Sequence, residues 1–313
     1  MKILINDGMS AAGIKVLEDA GYQVDTNKIS QEELPEKLAD YDAICVRSAT
    51  KVRKELIDQC PRLKAIGRGG VGLDNIDVDY ARSKGIAVLN TPAASSRSVA
   101  ELALGHMLSI ARSLNDAHIN MPSKGKQSFK ALKKQYSKGM ELENKTLGVI
   151  GLGRIGQEMV RIGLGMGMNV IGSDPFVNQV KVRLGGKAHG IDVTLNTQPQ
   201  DVLLKEADFI SIHVPALKDP IITSSEFAQM KDGVVIVNCS RGGIIDEDDL
   251  LSALESGKVL GAGLDVFVGE PSPREDLLQH SSISVTPHTG ASTIEAQDKI
   301  GIELAEKLIS VLS

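Results

Sequence analysis

The stretch Asn144-Lys-Thr-Leu-Gly-Val-Ile-Gly151-Leu-Gly153-Arg-Ile-Gly156 is followed by an apolar-periodic run and then by Asn169-Val-Ile-Gly-Ser-Asp174. A strand, a Gly-x-Gly-x-x-Gly turn, a helix, a second strand and a carboxylate therefore occur in this order. The pattern predicts a βαβ unit that binds a dinucleotide. A glycine-rich turn without a ligand is the alternative, and the complete set of flanking elements argues against it.

Each glycine of the turn has a separate physical task. Gly151 permits a tight turn from strand to helix, and Gly153 lets the backbone approach a pyrophosphate without a Cβ in the way. Gly156 lets the helix pack close to the strand. The free N–H groups at the start of the helix then face the phosphates, aided by the helix dipole.

Asp174 indicates which dinucleotide is bound. It follows Gly156 by 18 residues, close to the roughly 20 expected for an acid that hydrogen-bonds the adenosine ribose. A carboxylate there repels a 2′-phosphate, and Pro175-Phe176 supplies no arginine to compensate. We expect NAD rather than NADP.

Length and pattern predict an α/β protein with two doubly wound parallel-sheet domains. The 313 residues exceed the usual size of one domain, and Val/Ile/Leu runs alternate with amphipathic segments. We expect a Rossmann-type NAD-binding domain over residues 98–288, inserted into a flavodoxin-like substrate domain with a cleft between them. The substrate domain would comprise residues 1–97 and be completed by residues 289–313, where a helix from Thr293 to Val311 returns to it.

Composition argues against several classes of function. The net charge is −5 and the only basic run, Lys124 to Lys138, is typical of a solvated helix face, so nucleic acid is not expected. Cys45, Cys60 and Cys239 are widely spaced, so neither a disulfide nor a metal site is expected. No signal peptide or long apolar segment is evident, and we expect a reduced, cytoplasmic protein without membrane contact.

A hydride-transfer site needs a cation for an anionic substrate, an acid/base for the oxygen proton and a group that tunes that acid/base. Arg241 lies in a glycine-flanked loop after a predicted strand, His288 follows another strand, and Glu270 precedes a proline. They could supply these three functions. Taken singly, each also suits an ordinary surface or turn residue.

The sequence resembles the D-2-hydroxyacid dehydrogenases across nearly its whole length, and within them the phosphoglycerate dehydrogenase branch. The resemblance rests on several separate motifs, which are Val46-Arg-Ser-Ala-Thr-Lys-Val52, Gly67-Arg-Gly-Gly-Val-Gly-Leu-Asp-Asn75, Asn90-Thr-Pro, Ser98-Val-Ala-Glu-Leu102, Gly151 to Gly156, Val237-Asn-Cys-Ser-Arg-Gly-Gly-Ile-Ile-Asp246, Leu264-Asp-Val-Phe267, Gly269-Glu-Pro271 and Pro287-His-Thr-Gly-Ala291.

The resemblance implies a role for each of three catalytic residues. Arg241 would hold the substrate carboxylate and polarise the carbonyl. His288 would take the hydroxyl proton as hydride leaves C2 and return it in the reverse reaction, and Glu270 would hydrogen-bond the imidazole and favour its charged form. The cofactor contacts implied are Val71, Gly151, Gly153, Arg154, Ile155, Gly156, Asp174, Pro175, His213, Val214, Pro215, Cys239, Ser240, Asp265, Gly290 and Ala291. Judged by its surroundings alone, His213 is a loop-anchoring residue.

Substrate choice depends on a second group of residues. Arg47 and Arg68 match the arginines that phosphoglycerate enzymes direct at the phosphate, with Ser48, Gly69 and Gly70 beside them and Lys51 nearby. Surface charge is the alternative interpretation. In the family a Trp before the nucleotide loop is followed by a basic residue, but this chain has Leu132 there, before Lys133 and Lys134, so a phosphate contact from this segment stays open.

Three functions compete. The first is oxidation of 3-phospho-D-glycerate in serine biosynthesis, and the second is reduction of hydroxypyruvate, glyoxylate or another 2-oxo acid. The third is an NAD-sensing binding protein, which the presence of Arg241, Glu270 and His288 disfavours. Relatives dimerise through the nucleotide-binding domain, so a homodimer is expected. About 25 residues follow His288, too few for the serine-sensing domain of longer relatives, and no inhibition by L-serine is expected.

Overall fold

A computed structural model describes residues 1–186 and 188–313. These residues form two compact units. The terminal unit comprises Met1–Ser96 and Ala291–Ser313, and the central unit comprises Arg97–Gly290. Each unit has its own parallel sheet and its own buried apolar clusters, which confirms the predicted α/β class.

The terminal unit contains a five-stranded parallel sheet in the order β2-β1-β3-β4-β5. Its strands are β1 (Lys2–Ile5), β2 (Gln23–Asp25), β3 (Ala43–Val46), β4 (Ala65–Arg68) and β5 (Ala87–Asn90). The connecting helices are α1 (Ala11–Asp19), α2 (Leu34–Lys37, continued by a 3₁₀ turn over Leu38–Asp40), α3 (Lys54–Asp58) and α4 (Val78–Ser83). Winding outward from β1 in both directions is the flavodoxin-like order.

The central unit contains eight strands among its described residues. In chain order they are β6 (Thr146–Ile150), β7 (Asn169–Ser173), β8 (Gln179–Leu184), β9 (Ile191–Asn196), β10 (Phe209–Ile212), β11 (Val234–Asn238), β12 (Val259–Leu264) and β13 (Ile283–Val285). All except β8 and β9 form one parallel sheet in the order β13-β12-β11-β10-β6-β7. The direction of winding reverses between β6 and β10, and ligands bind at such switch points in open α/β sheets.

The helices of this part of the chain are α5 (Ser96–Ala111), α6 (Leu114–Gln135), α7 (Arg154–Gly165), α8 (Gln200–Glu206), α9 (Ser224–Gln229), α10 (Glu247–Glu255) and α11 (Glu275–Gln279). Helix α5 ends at Ala111, and α6 begins after Ser113, which adopts a left-handed conformation. Asp246 caps α10, accepting hydrogen bonds from the N–H groups of Asp248 and Asp249.

Strands β8 and β9 form an antiparallel hairpin that was not predicted. Val180 and Val182 on one face of β8 are buried, whereas Lys181 and Arg183 on the other face are exposed. Just beyond β9, the Gln198 N–H donates to the carbonyl of Gly172 in β7 at 2.8 Å. The segment after β9 is thus joined to the edge strand β7 by this hydrogen bond and by one isolated bridge between Gly172 and Thr197.

The last helix, α12 (Ile294–Leu312), belongs to the terminal unit. Its Leu304, Leu308 and Leu312 are buried in one apolar cluster with residues of β1. It also crosses α1 at closest approach between two glycines, since a Cβ on Gly13 would lie 2.5 Å from the carbonyl carbon of Gly301. The two backbones therefore touch at this point.

Candidate functional site

The predicted site residues of the central unit lie at one edge of its sheet, because parallel strands share one carboxyl edge. They follow six different strands. Gly151 follows β6, Asp174 follows β7, His213 follows β10, Cys239 to Arg241 follow β11, Asp265 follows β12, and residues 286–290 follow β13. Residues that are distant in the sequence are thus collected along one line of strand ends.

The glycines of the nucleotide loop differ in what surrounds them. A Cβ on Gly151, whose φ is +88°, would lie 2.4 Å from the carbonyl oxygen of His213, and one on Gly156 would lie 1.9 Å from that of Gly151. These two glycines are required by the chain itself. A Cβ on Gly153 would meet no atom within 4 Å, so the open approach at the start of α7 fits a pyrophosphate on the helix N–H groups.

The Asp174 carboxylate is fixed beside this loop. Its Oδ2 accepts the Leu152 N–H and its Oδ1 accepts the Phe176 N–H, both at 2.8 Å. Pro175 is exposed, and 93% of the Phe176 side chain is exposed. At the helix start Arg154 is exposed and Ile155 is half-buried. The structure thus holds a negative charge next to the glycine turn.

The loop that carries Arg241 is organised by Asn238, a residue whose role was not predicted. The Asn238 amide donates to the carbonyl of Arg241 at 2.8 Å, and its oxygen accepts from the N–H and the hydroxyl of Ser240 at 3.0 and 2.7 Å. A Cβ on Gly242 would lie 2.1 Å from the carbonyl oxygen of Phe267, so the loop packs tightly on the segment after β12. Burial raises the pKa of the Cys239 thiol, which stays protonated.

His288 and Glu270 form a pair at the surface of the central unit. Nδ1 of His288 lies 2.8 Å from Oε2 of Glu270, and the two side chains are 45% and 35% exposed. The other carboxylate oxygen of Glu270 accepts the Phe267 N–H at 3.0 Å. Since Nδ1 is held, Nε2 is the nitrogen of His288 that can serve an incoming hydroxyl group.

The His288 loop is held from below by Asp265. The Asp265 carboxylate accepts hydrogen bonds from the Thr286 hydroxyl at 2.6 Å and from the N–H groups of Thr289 and Gly290, each at 2.8 Å. Between these contacts His288 adopts a φ of 53°. Asp265 was predicted as a cofactor contact, and the structure shows that this 1% exposed residue anchors the loop.

His213 lies in the interior at the end of β10. Its Nε2 is 2.8 Å from the hydroxyl of Ser211, and burial lowers the pKa of the imidazole from 6.5 to about 3. The ring is therefore neutral and tied to its own strand, as expected of an anchoring residue. Val214 after it is half-buried and Pro215 is exposed.

In the terminal unit, Arg47 and Arg68 lie at the carboxyl ends of neighbouring strands, since Val46 of β3 pairs with Arg68 of β4. The Arg47 N–H donates to Asp7 at 2.7 Å, its guanidinium donates to Gln297, and burial lowers its pKa. The Arg68 guanidinium lies against Gly70, where a Cβ would be 1.7 Å from Nη1.

The remaining predicted residues of the terminal unit differ in exposure, and Gly70 is buried. Ser48 is exposed, and Gly69 and Val71 are half-buried. The carbonyl of Val71 accepts from the Asn90 amide at 2.6 Å, and that of Ala291 accepts from the Gln297 amide at 2.7 Å.

In residues 1–186 and 188–313, no helix is long and apolar enough to cross a bilayer.

Comparison with known proteins shows the family to which the chain belongs. Residues 104–290 match the family model described as "D-isomer specific 2-hydroxyacid dehydrogenase, NAD binding domain". The chain is 44% identical to a D-3-phosphoglycerate dehydrogenase of Methanocaldococcus jannaschii, over 100% of this chain and 57% of the relative. It thus spans little more than half the length of that relative.

Two further proteins have nearly the length of this chain. A hydroxypyruvate reductase of Thermotoga maritima is 44% identical, over 99% of this chain and 98% of the relative. The crystal structure of a glyoxylate reductase from Paecilomyes thermophila superposes with a TM-score of 0.83 at 29% identity, covering 100% of this chain and 95% of the other. The chain therefore belongs to the family of NAD-dependent D-2-hydroxyacid dehydrogenases.

Proposed function

We propose that the chain oxidises 3-phospho-D-glycerate to 3-phosphohydroxypyruvate with NAD, the first step of L-serine biosynthesis. The observation that carries this proposal is the pair Arg47 and Arg68 at the ends of β3 and β4. Two guanidinium groups on neighbouring strands suit a substrate with a second anionic group beyond its carboxylate. The match to the phosphoglycerate dehydrogenase of Methanocaldococcus jannaschii is consistent with this choice.

In the proposed reaction, Arg241 binds the substrate carboxylate through its planar fork. Nε2 of His288 accepts the proton of the C2 hydroxyl group, and Glu270 at Nδ1 stabilises the resulting imidazolium. NAD, when bound, would supply the acceptor for the hydride of C2. In the reverse direction His288 returns its proton to the carbonyl oxygen.

The glycine loop and Asp174 are proposed to hold the cofactor. The open space above Gly153 and the N–H groups of α7 suit the pyrophosphate, and the fixed carboxylate of Asp174 suits a ribose with free hydroxyl groups. The loops after β10, β11 and β13 would complete the site. We also propose that the protein is a cytoplasmic homodimer. Light scattering on the purified chain would test the oligomeric state.

Reduction of hydroxypyruvate or glyoxylate is the second candidate. It is favoured by the Thermotoga maritima hydroxypyruvate reductase, since that relative matches this chain over 98% of its own length. In this case Arg47 and Arg68 would have no second anion to bind.

The two candidates differ in substrate preference. Initial rates of NADH oxidation would be measured with 3-phosphohydroxypyruvate, hydroxypyruvate, glyoxylate and pyruvate, for the wild type and Arg68→Ala. Arg82→Ala, which removes the same charge from the exposed face of α4, is the matched control. We expect kcat/KM to be highest for the phosphorylated acid and Arg68→Ala to remove that preference.

Two other outcomes would replace the proposal. If the unphosphorylated acids are reduced faster, the chain is a reductase of simple 2-oxo acids. If no acid is reduced although NADH binds, the chain is better described as a nucleotide-sensing protein.

A further inference from the structure

A chain of hydrogen bonds crosses the interior of the central unit and ends below the His288 loop. The Asn115 amide nitrogen lies 3.2 Å from the hydroxyl of Ser284, which lies 2.9 Å from Nδ1 of His106. Nε2 of His106 lies 3.1 Å from the hydroxyl of Thr286, which donates to Asp265 at 2.6 Å. Four elements, α6, α5 and the ends of β13 and β12, are linked by side chains alone.

The direction of every proton in this chain can be assigned. Both Asp265 oxygens accept from backbone N–H groups, so the single hydroxyl proton of Thr286 is donated to Asp265. The Thr286 oxygen must then accept the proton on Nε2 of His106. Nδ1 is left as an acceptor for the Ser284 hydroxyl, and Ser284 in turn accepts from Asn115.

The imidazole of His106 is therefore neutral and carries its proton on Nε2. Its burial agrees with this, because the residue is 3% exposed and loss of solvation lowers its pKa. A neutral ring in this tautomer can serve the Ser284 hydroxyl as an acceptor and the Thr286 hydroxyl as a donor.

The series of hydrogen bonds that begins at Asn115 ends at residues that hold the backbone on both sides of His288. Thr286 precedes it, and the N–H groups of Thr289 and Gly290 after it are bound by Asp265. His288 lies between these contacts in a left-handed conformation that few non-glycine residues adopt. Such a conformation persists only when its surroundings enforce it.

We propose that His106 is a positioning residue for catalysis, acting through Thr286 and Asp265 on the loop that presents His288. Both of its ring nitrogens are occupied by Ser284 and Thr286, so it would act without touching substrate or cofactor. The role rests on the proposed function, in which His288 exchanges a proton with the substrate. An apolar residue at position 106 leaves Thr286 without its donor, so the Thr286 hydroxyl can rotate away from Asp265 and the loop loses one of its three ties.

The test compares His106→Leu with His106→Gln. Glutamine can keep an amide N–H near the position of Nε2, whereas leucine removes both hydrogen bonds. For leucine we expect kcat to fall about 10- to 100-fold, with KM changed less than about twofold, because misplacement of the acid/base acts on the chemical step. For glutamine we expect most of kcat to return. Met107→Leu, a volume-conserving change at the next buried position of α5, controls for packing.

Two further measurements separate positioning from packing. The pH dependence of kcat should shift in His106→Leu, because the surroundings of His288 change, and should be normal in Met107→Leu. Amide hydrogen exchange at Thr289 and Gly290 should accelerate in the leucine variant and in Thr286→Val, and the double variant should add little to either.

The exchange measurement needs no turnover, so it remains decisive if the wild type reduces none of the tested acids and the proposed function fails. Equal loss of kcat in the glutamine and leucine variants would reduce His106 to a packing residue. A folded His106→Leu protein with unchanged kcat, pH profile and exchange at residues 289 and 290 would refute the proposal. If His106→Leu does not fold, Thr286→Val alone decides by the same three readouts.

Discussion

Glu270 joins two loops of the central unit, because one carboxylate oxygen lies 2.8 Å from Nδ1 of His288 while the other accepts the Phe267 N–H at 3.0 Å. The acid/base candidate and the segment after β12 are therefore tied to one carboxylate. Any reaction at Nε2 of His288 takes place with a negative charge already held at the opposite side of the ring.

The first prediction concerns this pair. His288→Asn should lower kcat about 10²- to 10⁴-fold, because it removes the general acid/base. Glu270→Gln should cost less, since glutamine can still hydrogen-bond the ring but carries no charge. NADH affinity, followed by fluorescence titration, should change little in both variants. Glu275→Gln, on exposed α11, should behave like the wild type, and full activity of His288→Asn would contradict the assignment.

Two glycines of the nucleotide turn, Gly156 and Gly153, should respond differently to alanine. Gly156→Ala should unfold or strongly destabilise the central unit, since its Cβ would lie 1.9 Å from a carbonyl oxygen. Gly153→Ala should leave thermal stability intact but weaken NADH binding about tenfold or more, as its Cβ enters space reserved for the phosphates. Gly165→Ala, whose Cβ meets nothing within 4 Å at the end of α7, is the control for both readouts.

The selectivity between NADH and NADPH should depend on Asp174. Replacing it with serine removes a charge that repels a 2′-phosphate, so the ratio of kcat/KM for NADPH to that for NADH should rise about tenfold or more. Absolute rates should fall as well, because Leu152 loses its acceptor. Asp201→Ser at the start of α8 should leave the ratio unchanged. An unchanged ratio in Asp174→Ser would show that selectivity lies elsewhere.

The free energy of unfolding should decrease as the pH is lowered, because of His213. Its pKa is about 3 in the folded chain and about 6.5 when unfolded. As the pH falls below about 6.5, His213 takes up a proton in the unfolded state but not in the folded state. The stabilisation that is present above that pH is therefore lost. Between pH 7.5 and pH 5.0, this group alone should lower the free energy of unfolding by about 2 kcal/mol.

Urea denaturation at the two pH values measures this loss. His213→Gln, which cannot be protonated, should show a smaller pH dependence than the wild type. His189→Gln, at an exposed position, should not. If the free energy of unfolding depends on pH equally in the wild type and in His213→Gln, His213 does not govern the loss of stability.

The crossing of α1 and α12 should tolerate no side chain at Gly13. A Cβ there would lie 2.5 Å from the backbone of Gly301, so Gly13→Ala should destabilise the terminal unit by about 1–3 kcal/mol. Differential scanning calorimetry would measure the shift in melting temperature. Gly105→Ala, with open space around its Cβ on α5, should instead be neutral or stabilising because alanine favours helices.

Strands that are buried on both faces were the easiest elements to predict. The bounds of β3, β6 and β11 agree with their apolar runs, since a parallel sheet between helices produces continuous runs of this kind. The hairpin was missed although Val180 and Val182 alternate with charged residues, because a pattern of repeating parallel units leaves no place for an antiparallel pair. Helices α8, α9 and α11 are too short to show a helical period.

Strand ends could be assigned from sequence for a similar reason. Parallel strands bring their carboxyl ends to one edge, and Gly151, Asp174 and Asp265, each predicted as a cofactor contact, directly follow parallel strands of one sheet. The contacts of Asn238 and His106 could not be predicted. Their partners are fixed by how loops and helices pack in three dimensions, and a single histidine on an apolar helix carries no pattern that names Ser284 or Thr286.

The hairpin over β7 also bears on the colloidal behaviour of the protein. An uncovered terminal strand offers a row of unpaired N–H and C=O groups on which a strand of another molecule can add. Here the carbonyl of Gly172 is already bound by Gln198, and the strand at the opposite border, β13, has only three residues. The bound carbonyl at one border and the short strand at the other both limit intermolecular β-sheet growth from the six-stranded sheet.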